Sequence, residues 1–355
     1  MSETIKRILE NAPVRASAPC RVDVGGTLDI NTFYFPLRHL SPCTVNIAIN
    51  LRTQVWLLPY TEGRIKISSR GFKSSEYSLG SVPLTHPLGL MFAVIAYFGQ
   101  SGIHVQIDSA SPPKSGLGGS SVAAVGLVAG LLKALDGKNT SKKDIALLAH
   151  AIEGSVAGVP CGIQDQLAAV YGGVNAWYWQ ADSRGPSFKR TALISRSACK
   201  DLNNSLLVAY CGIPHESKRI NQKWVDQFLA GKNRNHWAEI IECTKRFAHA
   251  IAAGNLDQAV SWMNKETAIR RKMTPEVIDP AGKRLVAAAV RCGCGARFTG
   301  AGGGGCIWAL GTAENISRLR DRWGAILARY PSARLLDAKV DSLGLLVESN
   351  DYTQR

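Results

Sequence analysis

Carboxylates, guanidiniums and hydroxyls set among glycines are the residues of this chain that could do chemistry. The densest such stretch is Pro112-Pro113-Lys114-Ser115-Gly116-Leu117-Gly118-Gly119-Ser120-Ser121. An alternating run from Ile103 to Asp108 precedes it and predicts a strand, and an Ala/Val/Leu-rich run from Val122 to Leu135 predicts a helix. Strand, glycine loop and helix start together make an anion site. The helix N-terminus offers unpaired N–H groups and a partial positive charge, and glycines let the backbone close on an anion. Ser120 and Ser121 are expected to cap the helix or to reach a metal ion. A Walker loop needs Lys-Ser or Lys-Thr after its last glycine, whereas Lys114 precedes the glycines here. The stretch is therefore a phosphate cradle of another kind or a plain glycine turn.

Other polar residues stand in similar surroundings. Arg21, Asp23 and Asp29 flank Gly25-Gly26 at the end of a predicted strand, either as ligand contacts or as one internal ion pair. Glu153 lies near the end of a helix expected over Ser141–Gly154, where the dipole gives a carboxylate nothing. It is a solvated glutamate or has another task. Asp165 is a lone acid in an apolar, glycine-flanked segment. It is either a cap for Gln166–Tyr171 or a buried acid able to act on a hydroxyl. The run Gly300-Ala301-Gly302-Gly303-Gly304-Gly305 fits Gly-x-Gly-x-x-Gly, but a strand (Cys306 to Leu310) follows it, which argues against a dinucleotide site. It marks a close approach to a ligand or to backbone, or a hairpin turn.

The elements that must hold these residues alternate between strand and helix over 355 residues, enough for two domains. Strands are expected over Thr44–Leu58, Arg64–Ser68, Ser205–Tyr210 and Leu335–Val340. Helices are expected over Pro87–Phe98, Lys218–Ala230, Trp237–Ala253, Leu256–Thr267, Lys283–Cys292 and Asn315–Tyr330. Loop composition at Asp182–Pro186 and Asp201–Asn204 places the boundary between them, giving domains 1–190 and 191–355. The net charge of +15 suits nucleic acid, membrane surface or anionic small substrates, but it is scattered. Lys218-Arg219 and Arg270-Arg271-Lys272 read equally well as solvated faces. The nine cysteines form no Cys-x-x-Cys, which excludes a zinc or disulfide framework and suits a reducing cytoplasm. No apolar signal core opens the chain and no membrane span is expected.

Three glycine-bearing motifs in this order resemble those of the GHMP kinases (galactokinase, homoserine kinase, mevalonate kinase and phosphomevalonate kinase). Ala18–Asp29 looks like the first motif, Pro112–Ser121 the second and Thr299–Gly305 the third. The resemblance implies an α+β fold in two domains, an N-terminal one like ribosomal protein S5 domain 2 and a ferredoxin-like C-terminal one. It also implies an ATP- and Mg²⁺-dependent small-molecule kinase. Pro113, Lys114, Ser115, Gly116, Leu117, Gly118, Gly119, Ser120 and Ser121 would bind ATP, and Ser120 with Glu153 the metal. Asp165 and Arg21 would be catalytic; Gly26, Asp29, Asp165, Gly302 and Gly303 would meet the substrate. The sequence Arg-Val-Asp-Val-Gly-Gly-Thr-Leu-Asp is closest to the first motif of fucokinases and heptose-phosphate kinases. That similarity implies a sugar or sugar-phosphate acceptor, phosphorylated at its anomeric hydroxyl. Leu28, Gly119 and Ser121 depart from the family's usual Thr, Ser and Ala. Alternatives are an isoprenoid or amino-alcohol kinase of the same fold, or a silent sugar- or nucleotide-binding regulator. The expected setting is a cytoplasmic monomer or homodimer without nucleic-acid or membrane partners.

Overall fold

A computed structural model describes residues 4–137, 140–182, 185–214 and 217–349. Parts of two expected turns, Ser183–Arg184 and His215–Glu216, lie outside them. Two sheets divide the elements. The first has eight strands, in which Val14–Val24 pairs antiparallel with the long Cys43–Pro59. Cys43–Pro59 in turn pairs with Ile103–Ser109 over its second half and with Val174–Asp182 over its first. Splitting one long strand between two neighbours opens the sheet, and Arg21, opposite Ala48, lies at that fork.

The helix Gly119–Asp136 lies across Val14–Val24 and Cys43–Pro59, burying an unbroken run from Ser121 to Leu131. Among the described residues it alone is long and apolar enough to cross a membrane, and it is packed inside the protein. Its apolar character is that of a helix buried nearly all round. Lys142–Ala157 packs beside it, started by Ser141, whose Oγ accepts from the Asp144 N–H as the sequence suggests. The helix runs to Ala157, so Glu153 lies a turn inside its end.

The second sheet is fully antiparallel, in the order Arg334–Leu336, Leu206–Tyr210, Cys306–Leu310, Gly295–Phe298. The last two form a hairpin around the Gly300–Gly305 ribbon. Helices Arg234–Ala252 and Leu256–Met273 pack as a pair, the latter against Gly295–Phe298. Leu256–Met273 runs well past the expected end at Thr267, which brings Arg270 into the interior. The two halves meet through an aromatic joint: Phe33, just after the first glycine turn, stacks on Trp237 at 4.1 Å and meets Phe228 edge-on.

The expected final strand is shorter than its hydrophobic pattern, covering only Arg334–Leu336. A further strand, Leu346–Ser349, returns to the first sheet and pairs with Val14–Ser17. Its mostly exposed burial pattern explains why no alternation announced it. We propose the division between the halves near residue 190: the first sheet's strand Gly185–Ala192 ends just beyond it, and the second sheet opens at Leu206.

Candidate active site

Arg21 sits on Val14–Val24 with its guanidinium turned toward the second glycine loop. Its Nε donates to Asp165 Oδ1 at 2.7 Å, Nη2 lies 2.6 Å from the same oxygen, and Nη1 donates to the Gly116 carbonyl at 2.7 Å. The Arg21 N–H also reaches Leu117 O. Residues from three distant stretches thus converge on one guanidinium fork. Asp165 does not cap its helix Gln164–Tyr171, since Ile163 holds the cap position without a side-chain bond. Burial pushes the Asp165 carboxyl up, against the pull of Arg21.

Gly118 is the N-cap of Gly119–Asp136 at φ 80°, so neither serine caps the helix. A side chain there would be strained, and its Cβ would lie 2.9 Å from the Asp165 carboxyl. Ser121 is buried and donates to Glu153 Oε1 at 3.0 Å, while Gln166 Nε2 donates to Oε2 at 2.6 Å. Ser120, expected beside Glu153, is exposed and lines the same cavity. The hydroxyl that bonds Glu153 is therefore that of Ser121, one residue later in the helix.

Asp29 follows the first glycine turn and is only 5% exposed. Its Oδ2 accepts from the Gln164 N–H at 2.9 Å; its Oδ1 is buried with no hydrogen-bond partner among the described residues. Burial, with Asp165 adding repulsion, raises its pKa to about 7. Gly162 makes this seat possible, since a Cβ there would stand 1.7 Å from Asp29 Oδ2.

A cavity of about 620 Å³ joins these groups. Arg21, Asp29, Asp165, Glu153, Ser120 and Ser121 line it, together with Pro113, Lys114, Ser115, Gly116, Gly118 and Gly119 of the glycine loop. Leu117 is buried behind the loop. The third motif contributes Gly300 and Ala301 to the lining. Gly302 and Gly303, expected at the substrate, instead pack on Val277, whose carbonyl accepts from the Gly303 N–H at 2.9 Å. Gly26 likewise stands behind the cavity, its carbonyl held by Arg270. The ribbon meets backbone because its glycines must pass Val277 and Pro214 closely.

Of the buried charges behind this wall, sequence reasoning noted Asp23 but missed Glu266 and Arg297. Asp23 Oδ2 accepts from Arg297 Nη1 at 2.9 Å, and Oδ1 from the Gly300 N–H at 2.7 Å. Arg21 Nη1 is 3.5 Å from Asp23, so the expected internal pair is the weaker of Asp23's attachments. Arg297 Nε also donates to Glu266, whose other oxygen accepts from Arg270 Nε, both at 2.9 Å. Arg270 is not part of a solvated face; it is fully buried between Trp224 and Trp237, 4.8 Å from each ring. The i,i+4 spacing of Glu266 and Arg270 was the available signal.

Known proteins place the chain. Residues 88–173 match the family model for the GHMP kinases N terminal domain, and residues 247–328 that for GHMP kinases C terminal. A mevalonate kinase of Thermococcus onnurineus is 26% identical over 292 residues, covering 74% of this chain and 81% of that protein. The bifunctional fucokinase/GDP-fucose pyrophosphorylase of Arabidopsis thaliana is 25% identical over 228 residues, 62% of this chain and 21% of that protein. The structure of a D-glycero-D-manno-heptose 1-phosphate kinase from Bacteroides thetaiotaomicron superposes with a TM-score of 0.72 at 16% identity, over 94% of this chain and 98% of that one. With both family models matched in order and the two-part α+β architecture shared, the chain belongs to the GHMP kinase family.

Proposed function

We propose that this family kinase transfers the γ-phosphoryl group of ATP to a hydroxyl of a sugar or sugar phosphate, at the anomeric position. The observation that carries the reading is Asp29: a buried carboxylate with an unpartnered oxygen, in the same cavity as the Asp165–Arg21 pair. When the group is ionised this oxygen only accepts and needs a donor, and a polyol brings several. An acceptor carrying its own carboxylate would meet repulsion from Asp29 and Asp165 together.

In this reading the amides of Gly116–Ser121 and the start of Gly119–Asp136 hold the triphosphate. Asp165 orients the acceptor hydroxyl and takes its proton as the oxygen bonds to the γ-phosphorus and the bond to the β–γ bridging oxygen breaks. Arg21 keeps Asp165 in place and offsets charge on the transferred group. Glu153 with Ser120 or Ser121 is a hard-oxygen set that fits Mg²⁺, an ion content with one or two carboxylates, waters and phosphate oxygens. A bound Mg²⁺ would supply positive charge that offsets the negative charge of the phosphates. The setting we propose is the cytoplasm.

A second reading, a mevalonate-type acceptor, is favoured by curated relatives such as the Thermococcus onnurineus enzyme. An ATP-consumption screen over free and phosphorylated hexoses and heptoses and over mevalonate, followed by product NMR, separates the two. Turnover on sugars alone is expected; turnover on mevalonate alone overturns the sugar assignment.

A further inference from the structure

We propose that Arg270 is a positioning residue for the transfer reaction, setting from the second half of the chain where Asp29 stands against Asp165. The inference rests on the kinase reading above. Thr27, two residues before Asp29, has φ 73°. For a β-branched residue that is an uncommon, strained conformation, which persists only where the surroundings fix it. Arg270 is what fixes it: Nη1 donates to Thr27 Oγ1 at 3.0 Å and Nη2 to the Gly26 carbonyl at 2.7 Å. Its third contact, Nε to Glu266, aims the fork, and the two tryptophans leave the guanidinium no alternative direction.

The same carboxylates bind the other walls of the cavity. Glu266 shares Arg297, Arg297 holds Asp23, and Asp23 holds the Gly300 amide while standing beside Arg21. The chain Arg270–Glu266–Arg297–Asp23 carries two charges of each sign, so it is balanced and every member is bonded. It connects the first turn to the third motif and, through Arg21, to Asp165. A planar five-donor fork is required to hold Thr27, Gly26 and Glu266 at once, which a lysine cannot do.

The test uses Arg270→Lys, which keeps the charge, and Thr27→Gly, which removes the hydroxyl and the strain together. Both are expected to lower acceptor kcat/KM by roughly tenfold to a hundredfold, with the KM for ATP nearly unchanged; Arg270→Lys, which loses bonds of a buried charge network, is also expected to melt lower. Because Leu28 and Ile30 N–H groups bond within the turn, hydrogen exchange over residues 25–30 should quicken in Arg270→Lys without any ligand. Unchanged exchange there and an acceptor KM and kcat within about twofold of wild type would overturn the inference. If wild type phosphorylates no acceptor, the kinase reading falls, and the exchange measurement alone decides the role of Arg270. Should Arg270→Lys fail to fold, the exchange and acceptor kinetics of Thr27→Gly decide it.

Discussion

Replacing Asp29 by asparagine separates what this carboxylate costs the fold from what it does for the acceptor. Its pKa is raised from 3.8 to about 7, first by burial and then by Asp165. Below pH 3.8 the group is neutral in folded and unfolded chains alike and contributes nothing. Between 3.8 and 7 the unfolded chain gives up the proton while the folded chain retains it, so stability falls as pH rises. Above 7 both are ionised and the penalty is constant. At about 1.4 kcal/mol per pH unit, the penalty grows from about 1.7 kcal/mol at pH 5 to about 4 kcal/mol at pH 8. Asparagine keeps an acceptor for the Gln164 N–H but cannot ionise. Urea melts of both proteins at pH 5, 6, 7 and 8 should show the variant gaining on wild type by about 2.5 kcal/mol across that range. Acceptor kcat/KM of wild type should rise through pH 7, because the ionised carboxylate makes the stronger hydrogen bond to a hydroxyl; the variant's profile should lose that rise. A stability difference equal at pH 5 and pH 8 would refute the argument.

Asp165→Asn is expected to lower kcat by about 10²–10⁴ with ATP binding retained, measured by coupled turnover and calorimetry; full activity would remove Asp165 from its role. Ser121→Ala breaks the direct bond to Glu153 and Ser120→Ala removes only the exposed hydroxyl. Mg²⁺ titrations of the initial rate should therefore show the metal requirement rising in whichever variant loses the ligand, and a change in neither excludes both serines.

The local motifs were legible because each carries its own signal. A glycine loop between an alternating strand and an apolar helix needs no distant information, and Ser141 announces its helix alone. The meeting of Arg21 with Asp165 was available only through the family resemblance, since 144 residues separate them. What could not be read was side-chain direction. Ser120 and Ser121 differ by one helical step of 100°, enough to turn one to Glu153 and the other to the open cavity. Arg270 stands next to Arg271 and Lys272, and beyond its i,i+4 spacing to Glu266 the three consecutive cations do not tell which is buried; that depends on Trp224 and Trp237, arriving from two other helices. Gly302 and Gly303 match the third motif, yet the backbone they accommodate is Val277, brought there by the fold of the second half.

The strand Leu346–Ser349 has a consequence for how the protein is made. It pairs with Val14–Ser17, which leaves a ribosome more than 300 residues earlier. Throughout synthesis that side of Val14–Val24 stays an open edge, able to recruit a neighbouring nascent chain in place of its own late strand. The first sheet therefore cannot be completed before the second half has been translated.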